Sequence, residues 1–445
     1  MGLRHQSRLS IPQWIVLAYF TLILVGGSIL TLPIASKTGD STNYLDALFT
    51  ATSALCVTGQ VTLNTAEHWS RFGQTVIISL IEVGGIGFMT FWISIFLLSG
   101  HKPALLQRSI ARDFLSISKG QSLKETIGYI LCFSFFTQGI GMALLSFVLI
   151  PKYGLKTGLF YSLFHSISAF CNAGFDLFGD SLIHFTNQPL IILTIAGLIM
   201  SGGLGYLVWY DILTFYKNRR LQPYTKVVLI TTCSIWLVST ILFAINEWNR
   251  NPFFELSVVD KWINYFFLAV TPRTAGYANI DYQQLSLPSI LLTCILMFIG
   301  ASSGSTAGGV KVSTIATFFI NMIRNLQGKP TMIFKRVIDE ETVKKAFFII
   351  ISATFIVVVS VYILLITETI PDGFGIEYVL IEVASCLGTV GLTLGLTPNL
   401  TSIGKIILIM LMFIGRVGLL TFYLSFSTSR KKTKLNYPEF PMMVG

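Results

Sequence analysis

The sequence predicts an all-α polytopic membrane protein in which four parallel helix–re-entrant pore loop–helix repeats stand in a pseudo-fourfold arrangement around one central pore. Three observations predict it. The composition is apolar, eight apolar runs are long enough to span a bilayer, and four shorter apolar stretches between them each end in a polar turn closed by glycine.

Of the 445 residues, 53% are hydrophobic and 12% charged, against about 25% charged in a soluble domain. A large soluble enzyme cannot build its surface from this composition. A membrane helix needs ~20 mostly apolar residues. Runs of that kind occupy residues 11–31, 73–98, 127–150, 189–215, 227–244, 285–300 with a continuation after Lys311, 346–366 and 403–426. The first is too long for the apolar region of a signal peptide and reads as a retained helix.

The net charge of +10 follows the positive-inside rule rather than nucleic-acid binding. With the N-terminus in the cytosol, eight spans place both termini and most basic residues on that side, among them Arg4, Arg8, Arg108, Arg112, Arg219, Arg220, Arg324, Lys335, Arg336 and Arg430. The outer side then holds Asp176, Asp180, Glu247, Glu255, Asp260, Glu368, Asp372 and Glu377, a negative mouth that would concentrate cations. The cysteines (56, 132, 171, 233, 294 and 386) form no CxxC pair and read as small buried residues. The histidines form no HExxH pattern, so no zinc site is expected.

Each pair of spans is joined by a stretch of about a dozen apolar residues, too short to cross and suited to a re-entrant half-helix. The four stretches end in Val57-Thr58-Gly59, Asn172-Ala173-Gly174, Thr274-Ala275-Gly276 and Thr389-Val390-Gly391. Their glycines are 115, 102 and 115 residues apart. That spacing divides the chain into repeats over residues 1–105, 106–222, 223–334 and 335–445, the last with a C-terminal cytosolic tail. Glycines recur in the following spans as well, at Gly84-Gly85, Gly202-Gly203 and Gly415. Close helix packing explains any one of them. Because two spans make one repeat, all repeats enter from the same side and are related by an axis along the membrane normal. Irregular backbone at membrane depth is tolerated where it lines a cavity, and four such turns meeting on an axis make one pore. A ring of backbone carbonyls can replace the water of a K⁺ ion. Glycine tolerates the dihedral angles this needs, and each half-helix aims the negative end of its dipole at the ion.

Two further features stand out. Residues 300–309 read Gly300-Ala301-Ser302-Ser303-Gly304-Ser305-Thr306-Ala307-Gly308-Gly309, a run too poor in helix formers to continue the sixth span. It is a flexible kink or a moving element. Arg416 sits in the eighth span where two other repeats carry Gly85 and Gly203. A charge there costs roughly 2.5–3.5 kcal/mol, so Arg416 should either face the pore, where it can donate to carbonyls of residues 300–309, or pair with a carboxylate such as Glu82 or Asp211. A polytopic membrane enzyme is the alternative from another class. It would need paired carboxylates, a Ser/His pair or a metal cluster, and within the spans only isolated Glu82 and Asp211 occur.

On these four loops, eight spans, the 300–310 segment and Arg416, the chain resembles the Trk/Ktr/HKT superfamily of cation transporters over essentially its whole length. It is most like the KtrB-type membrane subunits of bacterial Ktr potassium uptake systems. The resemblance implies K⁺ as the transported ion and no covalent cofactor, and it leaves open Na⁺ as a coupling or activating ion. It implies that the twelve tripeptide residues form a selectivity filter, and that residues 300–310 with Arg416 form a gate beneath it. It further implies a homodimer in a bacterial cell membrane, regulated by a cytosolic KtrA-like ring of RCK type that binds ATP or ADP. In that superfamily a serine in the first loop goes with Na⁺, so Gly59 favours K⁺. A Na⁺-conducting or weakly selective transporter is the alternative within the family.

Overall fold

The computed structural model describes residues 10–87, 90, 123–250 and 253–426. The first repeat holds α1 (Ile11–Leu30), α2 (Tyr44–Cys56) and α3 (Arg71–Ile86). The second holds α4 (Leu123–Tyr153), α5 (Leu155–Phe170), α6 (Pro189–Leu204) and α7 (Tyr206–Asn218). The third holds α8 (Pro223–Glu247), α9 (Val258–Val270), α10 (Leu287–Phe298) and α11 (Val312–Leu326). The fourth holds α12 (Glu340–Thr367), α13 (Glu377–Gly388), α14 (Ser402–Val417) and α15 (Leu419–Phe426). A two-stranded hairpin, β1 (Met332–Ile333) with β2 (Arg336–Val337), joins the third repeat to the fourth. It turns through Phe334 and Lys335, both with φ > 0, as two-residue hairpin turns require.

Each repeat opens with a helix long and apolar enough to cross alone: α1, α4, α8 and α12. Their outer faces carry exposed Phe136, Phe147, Leu237, Phe355 and Tyr362, which suits contact with lipid. Cys132 and Cys233 lie on this outer surface too, contrary to the expectation that every cysteine is buried, because a small apolar side chain is equally at home against acyl chains. The half-helices α2, α5, α9 and α13 lie inside and are largely buried.

The second spans of the second and fourth repeats depart from the sequence reading. The apolar runs 189–215 and 403–426 are not single helices. α6 and α7 meet at 95° and α14 and α15 at 99°. The breaks fall at Gly205 (φ +87°) and Gly418 (φ +89°), and α3 likewise stops at Gly87 (φ +91°). Each lies three residues beyond the recurrent Gly202, Gly415 or Gly84. Hydropathy records what a segment touches, not where its backbone turns, so the bends were invisible to it. In the third repeat the break widens into the loop between α10 and α11.

The recurrent glycines have a common cause. A Cβ on Gly84, Gly202 or Gly415 would lie within 3.0 Å of the carbonyl oxygen of Leu55, Phe170 or Leu387 respectively. Each is thus the point where a second span crosses the C-terminal end of its own half-helix. Each second span also packs on the half-helix of the next repeat: α3 on α5, α6 on α9, α10 on α13, and α14 back on α2. The ring therefore closes. Lys405 of α14 and Asp46 of α2 add a 2.6 Å ion pair across the closing seam.

Two of the expected outer carboxylates serve the scaffold instead of the mouth. Glu247, at the end of α8, accepts from the Ser286 amide at 3.1 Å and from its hydroxyl, at the start of α10. Glu368, after α12, accepts from the amide and hydroxyl of Thr401 at 2.9 and 2.6 Å, at the start of α14.

Candidate ion pathway

The four half-helices end where the sequence places the tripeptides. In repeats one, two and four the last turn closes in the same way. The amides of Thr58, Ala173 and Val390 each bond a carbonyl five residues back, on Ser53, Ser168 and Ser385, at 2.8 Å. The intervening residue adopts left-handed backbone, a common way to satisfy the carbonyls at a helix end. In repeat three the amides of Ala275 and Gly276 both bond the Thr271 carbonyl, at 3.0 and 3.3 Å.

All four tripeptides nevertheless share one conformation. Their first residues, Val57, Asn172, Thr274 and Thr389, have φ of +57°, +61°, +73° and +52°. Their glycines, Gly59, Gly174, Gly276 and Gly391, have φ of +87°, +68°, +77° and +99°. Left-handed backbone at a β-branched residue is a rare, strained state, of order 1–3 kcal/mol, and here three of the four first residues are Val or Thr. The four turns face each other in a closed ring. A Cβ on Gly59 would run into the Ala173 carbonyl, one on Gly174 into Ala275, one on Gly276 into Val390, and one on Gly391 into Thr58. Every glycine thus abuts the middle-residue carbonyl of the next repeat. The buried hydroxyls of Thr58, Thr274 and Thr389 have no hydrogen-bond partner among the described residues.

Residues 300–310 form a loop folded back under this ring. Its ends are pinned together: Ile299 and Val310 form a parallel bridge, the Gly300 amide bonds the Val310 carbonyl at 2.8 Å, and the Val312 amide bonds the Ala301 carbonyl at 3.0 Å. Its tip is held from three repeats. The Thr306 hydroxyl donates to the Phe170 carbonyl at 3.2 Å, and the Thr306 amide to that of Gly202 at 3.3 Å. Gly308 lies against Thr389, so that a Cβ there would overlap the threonine side chain. The Tyr224 hydroxyl meets Ser302 at 3.1 Å and Ser303 at 3.3 Å.

Arg416 reaches this loop. It donates to the carbonyl of Thr306 and, from its other terminal nitrogen, to that of Gly84. Neither carboxylate considered as its partner is used. Glu82 accepts from the Gln138 amide at 3.0 and 3.2 Å and from the Cys171 thiol. Asp211 accepts from the Gln222 amide at 2.8 Å. Among the described residues no carboxylate pairs with Arg416.

Two cations escaped the sequence reading. Lys311, just past the loop, donates to the carbonyls of Ala307 and Gly308 at 2.6 and 3.3 Å. Arg273, directly before the third tripeptide, is 4% exposed, donates to the Gly300 carbonyl at 3.1 Å and lies over the Trp236 ring. Both were visible as charges inside apolar segments, which is signal enough. Their binding of the loop's carbonyls was not visible, because it depends on how the loop folds back.

A family profile described as a cation transport protein, TrkH, matches residues 4–436. The chain is 44% identical to the potassium/sodium uptake protein NtpJ of Enterococcus hirae, over 100% of this chain and 99% of that one. It is 39% identical to the Ktr system potassium uptake protein B of Bacillus subtilis, over 98% and 97%. Its fold matches the crystal structure of the potassium transporter TrkH from Vibrio parahaemolyticus with a TM-score of 0.71, at 19% identity, over 96% of this chain and 87% of that one. With eight apolar segments, four inward half-helices and a whole-length profile match, the chain is a membrane protein that belongs to the TrkH family of cation transporters.

Proposed function

We propose that this chain is the membrane subunit of a K⁺ uptake system and that K⁺ crosses through the ring of four tripeptides. The observation that carries this reading is the ring itself: four turns with matched positive φ, each glycine closed onto the next repeat's carbonyl. Backbone carbonyls without net charge suit an ion that must bind and then leave. The chain divides for this purpose into the four repeats 1–105, 106–222, 223–334 and 335–445. The names of the relatives, potassium uptake and potassium/sodium uptake, agree with K⁺ as cargo and favour Na⁺ as coupling ion or competitor as the second reading. Expression in a bacterial strain lacking its own K⁺ uptake tests the proposal. Growth at low K⁺ should be restored, and excess Na⁺ should inhibit only weakly. Failure to restore K⁺ uptake by a correctly inserted protein overturns it.

In this reading the loop 300–310 and Arg416 are the gate. The loop lies directly under the ring, and its small residues let it move aside without dragging bulky side chains through packed neighbours. Deleting three or four residues within 301–309 is expected to raise uptake severalfold and to weaken dependence on any regulator. A stable deletion protein that conducts less than wild type removes the loop as a barrier.

The regulator we propose is a cytosolic ring protein of RCK type (KtrA-like) that binds ATP or ADP, acting on a homodimer in the bacterial cell membrane with both termini in the cytosol. Its docking surface includes the basic C-terminal tail, residues 430–445, which lies outside the described residues. Removing the tail is expected to weaken co-purification of such a ring at least about tenfold, the scale on which a few buried charge pairs act. Undiminished co-purification places the contact elsewhere.

A further inference from the structure

One fully buried carboxylate stands behind the ring. Glu382 lies on α13, nine residues before Gly391, and has no exposure. It accepts hydrogen bonds from the Gln60 side-chain amide, the Thr393 hydroxyl and the Thr397 hydroxyl, the last at 2.8 Å. The remaining partners fix the direction of these bonds. Thr393 accepts from the Gly395 amide at 2.7 Å, and Thr397 accepts from Gln60 at 3.0 Å. Each hydroxyl proton is therefore free for Glu382. A carboxyl group that receives three donors has no use for a proton of its own, and this is the pattern of the ionised form.

The same network reaches the ring from two sides. Gln60 directly follows Gly59. Its carbonyl oxygen accepts from the Ser385 hydroxyl at 3.0 Å, and that hydroxyl accepts from the Gly391 amide at 2.8 Å. The first and fourth turns are thus tied through Glu382, Gln60 and Ser385. The opposite seam is tied differently: the Tyr277 hydroxyl donates to the Phe175 carbonyl at 2.9 Å, with no charge involved. The positions matching Glu382 in the first three repeats are Thr50, His165 and Phe267. The first bonds its own helix and the second accepts from the Leu177 amide.

Among the described residues no lysine, arginine or histidine pairs with Glu382. A buried charge without a partner is strongly unfavourable, unless the cation comes from elsewhere. The network is joined to Gly59 and Gly391, which points to the permeating ions as that cation. We propose that Glu382 is a positioning residue of the filter: ionised, it clamps the first and fourth turns and acts as the fixed counter-charge that sets K⁺ affinity. This rests on the ring being the filter.

The test compares Glu382→Gln, which keeps the shape and removes the charge, with Glu382→Asp, which keeps the charge. K⁺ uptake kinetics are measured per folded protein, beside Gly391→Ser. Glu382→Gln is expected to raise the K⁺ concentration for half-maximal uptake about tenfold or more, the scale of one charge acting through a partly polar interior, while the maximal rate stays within about twofold. Glu382→Asp should stay within about threefold of wild type in half-saturation. A merely structural role would lower the amount of active protein without moving half-saturation. The proposal is overturned if Glu382→Gln keeps the wild-type value, or if Asp and Gln shift it equally. If Gly391→Ser also leaves half-saturation unchanged, the filter reading itself has failed; if Gly391→Ser shifts it and Glu382→Gln does not, only the role of Glu382 falls. Should Glu382→Gln not fold, K⁺-dependent stabilisation of Glu382→Asp against heat decides, since an ion that binds only the folded state raises its melting point. Stabilisation at wild-type K⁺ concentrations supports the charge, and its loss overturns it.

Discussion

Gly391→Ser and Gly59→Ser are expected to raise the K⁺ concentration for half-maximal uptake at least about tenfold and to let Na⁺ compete. Two effects act together. At φ of +99° and +87° any side chain is strained by roughly 1–2 kcal/mol. The added Cβ would also collide with the carbonyl of Thr58 or Ala173, and these atoms are backbone, so relief requires a turn to move. The ring must then widen or tilt, and a ring shaped for K⁺ loses its advantage over the smaller, more strongly hydrated Na⁺. Gly128, by contrast, has open space at its Cβ, so Gly128→Ala should change neither selectivity nor affinity. Measuring K⁺ uptake against increasing Na⁺ checks both. Unchanged K⁺ affinity in both serine variants, at normal expression, removes these turns as the filter.

Neutralising Arg416 is expected to have the second largest effect, in the opposite direction. Arg416→Gln and Arg416→Ser should raise the maximal uptake rate about threefold to tenfold with little change in K⁺ over Na⁺ preference. The guanidinium holds the Thr306 carbonyl, at the tip of the loop, against Gly84 of the first repeat. A charge-assisted hydrogen bond contributes about 1.5–3 kcal/mol, and each ~1.4 kcal/mol released from a barrier is tenfold in rate. If the proposed pathway holds, the charge itself also opposes a passing cation, and it persists at any physiological pH. The structure makes stability the deciding companion measurement. An arginine paired with a carboxylate would leave a buried charge on removal, at ~3–5 kcal/mol. Arg416 pairs with carbonyls instead, so the variants leave no buried charge and should lose no more than the hydrogen bonds themselves, about 1.5–3 kcal/mol each. Arg416→Lys should do less, because Lys keeps the charge and can still reach one carbonyl. Loss of stability without faster uptake would leave Arg416 as a structural residue.

How much of this was legible in the sequence depends on which physical signal each feature leaves. The crossing helices and half-helices were legible because bilayer thickness fixes a length of apolar chain, as α8 and α12 show. The tripeptides were legible because four Gly residues at nearly equal spacing have no other common explanation, and the ring they make is in the structure. The bends at Gly205 and Gly418 were not, because apolarity continues through them. For Arg416 the sequence left two kinds of partner open, the carbonyls of residues 300–309 and a carboxylate, and the structure takes the carbonyls. Lys311 and Arg273 bind carbonyls of the same loop, whose backbone has left helical geometry and whose oxygens are free to accept. Glu382 left no signal in the sequence, because one acid in a half-helix says nothing of its partners. Only its donors, brought from residues 60, 393 and 397, show that it faces inward.

The central claim is that K⁺ rests within the ring of four turns, and the most direct test is to see where the ion binds. Crystals or cryo-preserved protein prepared with Rb⁺ or Tl⁺ in place of K⁺ would reveal the heavier ion by its scattering. The account predicts density on the axis, surrounded by carbonyl oxygens of residues 57–58, 172–173, 274–275 and 389–390, and its loss when Gly391 is replaced by serine. Density elsewhere, for example beside Glu82 and Gln138, with none within the ring would contradict it.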